Sequence, residues 1–139
     1  PYYGITAFDL SVSALATARK GRYAKRKIES VKAEEFKRYT KQTTDGNYEI
    51  VSRLRERVCF TQANMINHNN LPGVKVDVIF CQNLLVYFRR WLRRDILNAL
   101  TEHLKPGGIL VTGLGEVTEW EHPNMQRIAA DEVQVYVYE

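Results

Sequence analysis

Two short apolar runs, Val76 to Phe80 and Ile109 to Thr112, flank a stretch in which Leu92, Ile96, Leu100 and Leu104 recur every fourth residue. Apolar runs of that length without alternation fit strands buried on both faces. The four-residue recurrence predicts a helix from Arg89 to Leu104, with Ala99 on the same side. Lys105-Pro106-Gly107-Gly108 stops it, and Pro72-Gly73 turns the chain into the first run. Strand, helix and strand in that order argue for a parallel sheet with helices on both faces.

The rest of the chain extends the pattern. Gly4-Ile5-Thr6-Ala7-Phe8, ending in Asp9, is another run of the buried-strand kind. Ser11 is a good N-cap for a helix with Val12, Leu15 and Ala16 on one stripe. Gly21 ends that helix after the cationic pair Arg19-Lys20, which suits the negative end of its dipole. Ser30 is placed to cap a charged helix from Val31 to Tyr39. Thr43-Thr44-Asp45-Gly46-Asn47 is a turn cluster with a hairpin signal at Asp-Gly. Residues 48–53 alternate only weakly. Val58-Cys59-Phe60 returns to the core as a strand, and Gln126 to Ala129 with Val133 to Tyr138 read as a final antiparallel pair.

One domain, residues 1–139, accommodates all of this, with residues 22–57 as a basic insertion containing the hairpin. Hydrophobic residues make up 45% and charged residues 26%, which excludes a disordered or collagen-like chain. No apolar run is long enough for a spanning helix, so no membrane insertion is expected. Cys59 and Cys81 make no metal spacing and read as buried free thiols of a reducing, cytoplasmic compartment. The net charge of +4 is unevenly spread. Ten Lys or Arg and three Glu lie between Arg19 and Lys41, whereas seven acidic and two basic residues occur from Glu102 onward. The first region suits acidic partners.

In open α/β sheets, ligands sit at the carboxyl ends of the strands. This chain places there Asp9, then Asn64, then Gln82, Asn83 and Tyr87, then Gly113, Gly115 and Glu116. An acidic residue at a strand end can accept hydrogen bonds from a ribose diol, but Asp9 can equally cap the helix with Ser11. Asn64 and Asn83 can satisfy loop backbone, and Tyr87 can pack in the core beside Leu84 and Phe88. Gly107-Gly108 reads better as a helix stop than as a phosphate cradle. His68, His103 and His122 are scattered, no Gly-x-Ser-x-Gly elbow occurs, and no metal cluster is apparent.

Together these residues resemble the CheR-type chemotaxis receptor methyltransferases. The resemblance is carried by Ala7-Phe8-Asp9-Leu10-Ser11, by Ala14 to Tyr23, by Val58-Cys59-Phe60 with Asn64-Met65, and by Leu104-Lys105-Pro106-Gly107-Gly108-Ile109-Leu110 with Gly113 and Glu116. It is most specific in Val76 to Phe88, through Phe80-Cys81-Gln82-Asn83 followed by Tyr87-Phe88. It implies a Rossmann-like class I methyltransferase fold, incomplete at the N-terminus, with residues 22–57 as a small inserted β-subdomain that in some members binds a receptor tail. It implies S-adenosyl-L-methionine as cofactor and S-adenosyl-L-homocysteine as product, with the methyl group passing to a glutamate carboxylate of a methyl-accepting chemotaxis receptor. By resemblance, Asp9 holds the ribose, Asn64 and Met65 lie by the adenine, Gln82 and Asn83 contact the methionine portion, and Tyr87 is the catalytic residue facing the methyl group. Gln82 stands where the family mostly has Arg, and Leu114 follows Gly113 where a polar residue is usual. Both departures fit a divergent branch such as that of type IV pilus chemosensory systems.

The resemblance also implies that the family's helical domain, glycine-rich loop and an arginine near the methyl group would precede Pro1. The strand missing from this chain would lie between those ending at Asp9 and Phe80. On that expectation the chain closes the gap, exchanges strands with a second copy, or is the ordered part of a longer chain, and by itself binds cofactor weakly. The rival readings are a class I methyltransferase for a small molecule, a nucleic-acid module using residues 19–57, and a non-catalytic partner-binding fragment. No nucleic-acid recognition motif supports the second.

Overall fold

The parallel strand pairs expected from the apolar runs are present in the computed structural model, which describes residues 2–71 and 73–139. The turn expected at Pro72-Gly73 falls on Pro72, outside the described residues. The chain divides into two compact units, Pro1–Asn64 and Met65–Glu139.

In the first unit, β1 (Ile5–Asp9) leads into α1 (Val12–Lys20), then β2 (Arg22–Tyr23), α2 (Lys25–Ile28), α3 (Ala33–Tyr39), β3 (Thr40–Gln42), β4 (Tyr48–Ile50), α4 (Ser52–Arg55) and β5 (Val58–Gln62). β1 and β5 pair in parallel, from Ile5 opposite Val58 to Asp9 opposite Gln62. The caps of α1 are those its sequence dictates. Ser11 Oγ accepts from the Ala14 amide at 3.2 Å. Gly21 takes the left-handed conformation (φ 62°) and returns its amide to Thr17. A side chain there would be strained and would collide with Arg55.

Between α1 and β5 the basic stretch builds a small antiparallel sheet in the order β2-β4-β3. Its tip is the expected Asp45-Gly46 turn, where the Thr43 hydroxyl and the Asn47 amide hold the Asp45 carboxyl below its usual pKa. Glu49 on the central strand lies 2.9 Å from both Arg22 and Arg55. Three sequence expectations shift here. Ser30 does not cap α3, which starts after Lys32 without a side-chain cap. The weak alternation of residues 48–53 resolves into a three-residue strand followed by a helical turn. Cys59 is exposed, not buried, in a strand of a sheet with only two strands among the described residues.

The second unit holds β6 (Val76–Cys81), α5 (Arg90–Thr101), β7 (Leu104–Gly113), β8 (Met125–Ile128) and β9 (Val133–Tyr138), in sheet order β6-β7-β9-β8. β6 and β7 are parallel, and the final pair is antiparallel as expected. Ile96, Leu97 and Leu100 of α5 pack with Leu85, Leu104 and Leu110 to form the core. Leu104 fits the apolar stripe but belongs to β7. The helix ends at Thr101, the His103 carbonyl accepts from Val76, and Leu104 already pairs with β6. Lys105-Pro106-Gly107-Gly108 is therefore an excursion inside the strand. The register jumps from Leu104 opposite Val76 to Ile109 opposite Val78.

The expectation that β1 and β6 are buried on both faces is corrected. Ile5 and Phe8 are exposed, and Phe80 is 73% exposed. Each strand has a partner on one side only among the described residues.

The alternation in β9 buries its polar-aromatic face: Gln134 is 4% exposed and Tyr136 is also buried. Gln134 accepts from the Val117 amide at 3.1 Å and donates to the Val117 carbonyl at 2.9 Å. Trp120 meets Tyr136 edge-on at 5.1 Å. Gln134→Ala strands two buried backbone groups and should cost about 2 kcal/mol or more, since each unmet buried group costs about 1–3 kcal/mol. Gln126→Ala, on exposed β8, should stay within about 0.5 kcal/mol. Denaturation followed by the fluorescence of Trp91 and Trp120 checks both values.

Candidate functional site

Polarity puts the chemistry-bearing residues at the carboxyl ends of the parallel strands, in each unit separately. In the first unit Asp9 ends β1 beside Gln62. The pairing runs one step further, with the Ala63 amide donating to the Asp9 carbonyl, so Asn64 emerges next to it. Asp9 Oδ1 accepts from the Ser11 amide at 2.7 Å. The capping alternative is thus half of what happens: one carboxylate oxygen organises the turn into α1. The other is exposed and accepts no hydrogen bond among the described residues.

In the second unit β6 ends in Cys81, opposite Thr112 of β7. Gln82 and Asn83 come next, both exposed. Asn83 has φ 59°, the left-handed region that a non-glycine residue adopts at a cost. That conformation turns the chain sharply off the strand end. A short 3-10 helix, Leu85–Tyr87, succeeds it. Leu85 is wholly buried and anchors it, whereas Tyr87 is 80% exposed. The core-packing alternative for Tyr87 is therefore not what is observed; Leu85 takes that role. Met65 opens another 3-10 segment and packs on the edge of the core.

On the neighbouring strand end the chain closes a tight turn. Glu116 Oε2 accepts from the Gly113 amide at 2.7 Å, and the Glu116 amide donates to the Gly113 carbonyl. A Cβ on Gly113 would overlap the Glu116 carboxylate. Glu116 is 4% exposed, and its Oε1 and the Thr112 hydroxyl have no partner among the described residues. Burial, with the Glu116 charge adding to it, pushes the Cys81 thiol up to about 11. Cys81 is a neutral packing group at this end, not a nucleophile. No cluster of metal-ligating residues occurs among the described residues. Two clefts, of about 450 and 310 Å³, lie around residues 116–122 and do not include Gln82, Asn83 or Tyr87.

Sequence reasoning missed Arg93. Its guanidinium donates to the carbonyls of Phe88 (2.7 Å), Glu116 (3.4 Å) and Val86 (3.5 Å). The signal was present: Arg89, Arg90, Arg93 and Arg94 crowd the start of α5, where a cation is disfavoured by the helix dipole and no acidic residue lies in the first turn.

The sequence pattern described as CheR methyltransferase, SAM binding domain, matches residues 2–135. Chemotaxis protein methyltransferase 2 of Vibrio cholerae is 34% identical over 113 residues, which is 81% of this chain and 39% of that protein. Chemotaxis protein methyltransferase 1 of Pseudomonas aeruginosa is 35% identical over 113 residues, 81% of this chain and 41% of that protein. The chain thus spans about two-fifths of the length of these relatives. Among solved structures, a putative methyltransferase, yhhF, of Escherichia coli aligns with TM-score 0.55 at 13% identity, over 98% of this chain and 64% of that one. The glycopeptide N-methyltransferase MtfA complexed with sinefungin aligns with TM-score 0.50 at 21% identity, over 96% of this chain and 49% of that one. These likenesses show a Rossmann-like, class I methyltransferase fold.

The thiols give a direct check on the second unit. At pH 8 a disulfide reagent should label Cys59 in the folded protein and reach Cys81 only after unfolding. A thiol raised from 9 to about 11 stabilises the fold fully below pH 9, and that contribution is lost as pH rises through 11. Stability should therefore fall between pH 9 and 11, and Cys81→Ala should flatten that slope.

Proposed function

Because the chain belongs to the CheR methyltransferase family, as its SAM-binding domain, we propose that it serves an enzyme that methylates a glutamate side chain of a chemoreceptor. S-adenosylmethionine is the cofactor of that domain and supplies, when bound, a methyl group on a positively charged sulfur. The reading rests above all on the run Gln82-Asn83 to Tyr87: a left-handed Asn at a strand end, then a tyrosine held almost fully in the open.

The residue types, taken unit by unit, suit such a cofactor. Asp9 keeps one exposed carboxylate oxygen without a described partner, while the other is held by Ser11. That is the donor-free acceptor a ribose diol requires. Asn64 and Met65 would flank the adenine. Gln82 and Asn83 would contact the methionine portion, with the amide of Gln82 standing where most of the family has a charge.

The acceptor needs no general base. A glutamate side chain has a pKa of about 4.3 and is ionised at neutral pH. The absence of a histidine from the run around Tyr87 is therefore no obstacle. The chain's own task is to align the acceptor oxygen and keep water away, for which proximity effects can supply roughly 7–11 kcal/mol. The exposed Tyr87 is suited to it: its hydroxyl can orient a carboxylate, and its ring can face a cationic group. The small basic sheet of residues 22–57 would attract a Glu-rich receptor segment, as opposite charge speeds encounter.

Two variants of the full-length polypeptide test these roles. Asp9→Asn should weaken cofactor binding in calorimetry by about tenfold or more, since a hydrogen bond to a charged group is worth about 1.5–3 kcal/mol. Tyr87→Phe should lower turnover while cofactor affinity stays within about twofold. Equal turnover would remove Tyr87 from the mechanism. Association with receptor should also slow as salt is raised; a salt-independent rate would contradict the role of the basic sheet.

A further inference from the structure

We infer that Arg93 is the positioning residue that holds Tyr87 and the Gly113–Glu116 turn in one arrangement. This inference rests on the reading of Tyr87 as the residue that meets the acceptor. The exposed ring of Tyr87 has no hydrogen bond or ring contact among the described residues. Its direction is thus set by its backbone alone. That backbone is a three-residue 3-10 turn, closed by the Tyr87 amide on the Leu84 carbonyl at 3.2 Å and by the Phe88 amide on Leu85. So short a turn frays easily by itself.

Arg93 supplies what the turn lacks. Nε donates to the Phe88 carbonyl at 2.7 Å and Nη2 reaches the Val86 carbonyl at 3.5 Å. These two carbonyls bracket Tyr87 in the chain. Nη1 reaches the Glu116 carbonyl at 3.4 Å, and Glu116 closes its own turn through Gly113. One planar group therefore joins the loop after β6 to the loop after β7. A guanidinium is suited to this because its five donors are fixed in a plane and it stays charged at every working pH. All three acceptors are neutral carbonyls, and no ion pair of Arg93 occurs among the described residues. A cation at the unfavourable end of a helix, with no carboxylate partner, points to the carbonyls themselves as its purpose.

A lysine has a single tetrahedral ammonium and can serve one or two of these carbonyls. A methionine fills similar space and serves none. The effect on chemistry is one of alignment, where a displacement of about 1 Å can cost roughly a hundredfold in rate.

The test is a double-mutant cycle in the full-length polypeptide, with S-adenosylmethionine and a receptor methylation segment as substrates. Arg93→Met should lower kcat by roughly tenfold or more with KM for the cofactor nearly unchanged, and Arg93→Lys should recover part of the loss. In the Tyr87→Phe background the same Arg93→Met change should have little further effect. Amide exchange in Arg93→Met should rise at residues 86–88 and 114–117 and stay unchanged in β6 and β7. An equal loss in both backgrounds, or unchanged exchange in those two loops, overturns the inference while leaving the role of Tyr87 intact. A Tyr87→Phe variant with full turnover removes that role instead, and the inference with it.

Discussion

The parallel register of β6 and β7 is the constraint on which the second unit depends. It sets Cys81 opposite Thr112, so that two chain segments leave the sheet side by side at the same end. Their paths then diverge. Asn83 turns away in the left-handed region, Leu85 dives into the core, and Tyr87 is left outside. Gly113 lets the Glu116 carboxylate close over the neighbouring end. Arg93 joins the two. A similar logic runs through the first unit, where β1 and β5 in parallel bring Asp9 and Asn64 out together.

Much of this was legible in the residues because local chemistry decides it. Ser11 bounds α1 through its hydroxyl and Gly21 through the left-handed conformation it adopts without cost. Asp45-Gly46 makes its hairpin for the same reason. The errors have equally specific causes. Leu104 carries the helical period past the end of α5, since a four-residue spacing says nothing of when a strand partner takes over. Phe80 and Ile5 look buried by composition, yet burial depends on what covers a strand, and one strand's sequence does not contain that. Within the candidate site, the left-handed Asn83 was invisible, and the run of arginines at the start of α5 marked Arg93 without showing which carbonyls it meets. Asparagine favours that conformation without requiring it, and carbonyl acceptors leave no mark in the sequence.

The chemistry proposed for this chain makes few demands that a motif search would find. A carboxylate acceptor arrives ionised, so neither an acid–base pair nor an activated nucleophile has to be built. What remains is orientation, which backbone geometry and a single exposed tyrosine can provide. Cys81 and Glu116, both buried, then act as structure at these strand ends.

The most direct test traces the methyl group itself. The full-length polypeptide would be incubated with methyl-labelled S-adenosylmethionine and receptor, and the labelled receptor treated with mild alkali. Release of the label as methanol, abolished when the accepting glutamates are changed to alanine, is the predicted result, because only an ester yields in this way. Label that withstands alkali, or that appears on nucleic acid or a small molecule with the receptor left bare, would contradict the assignment.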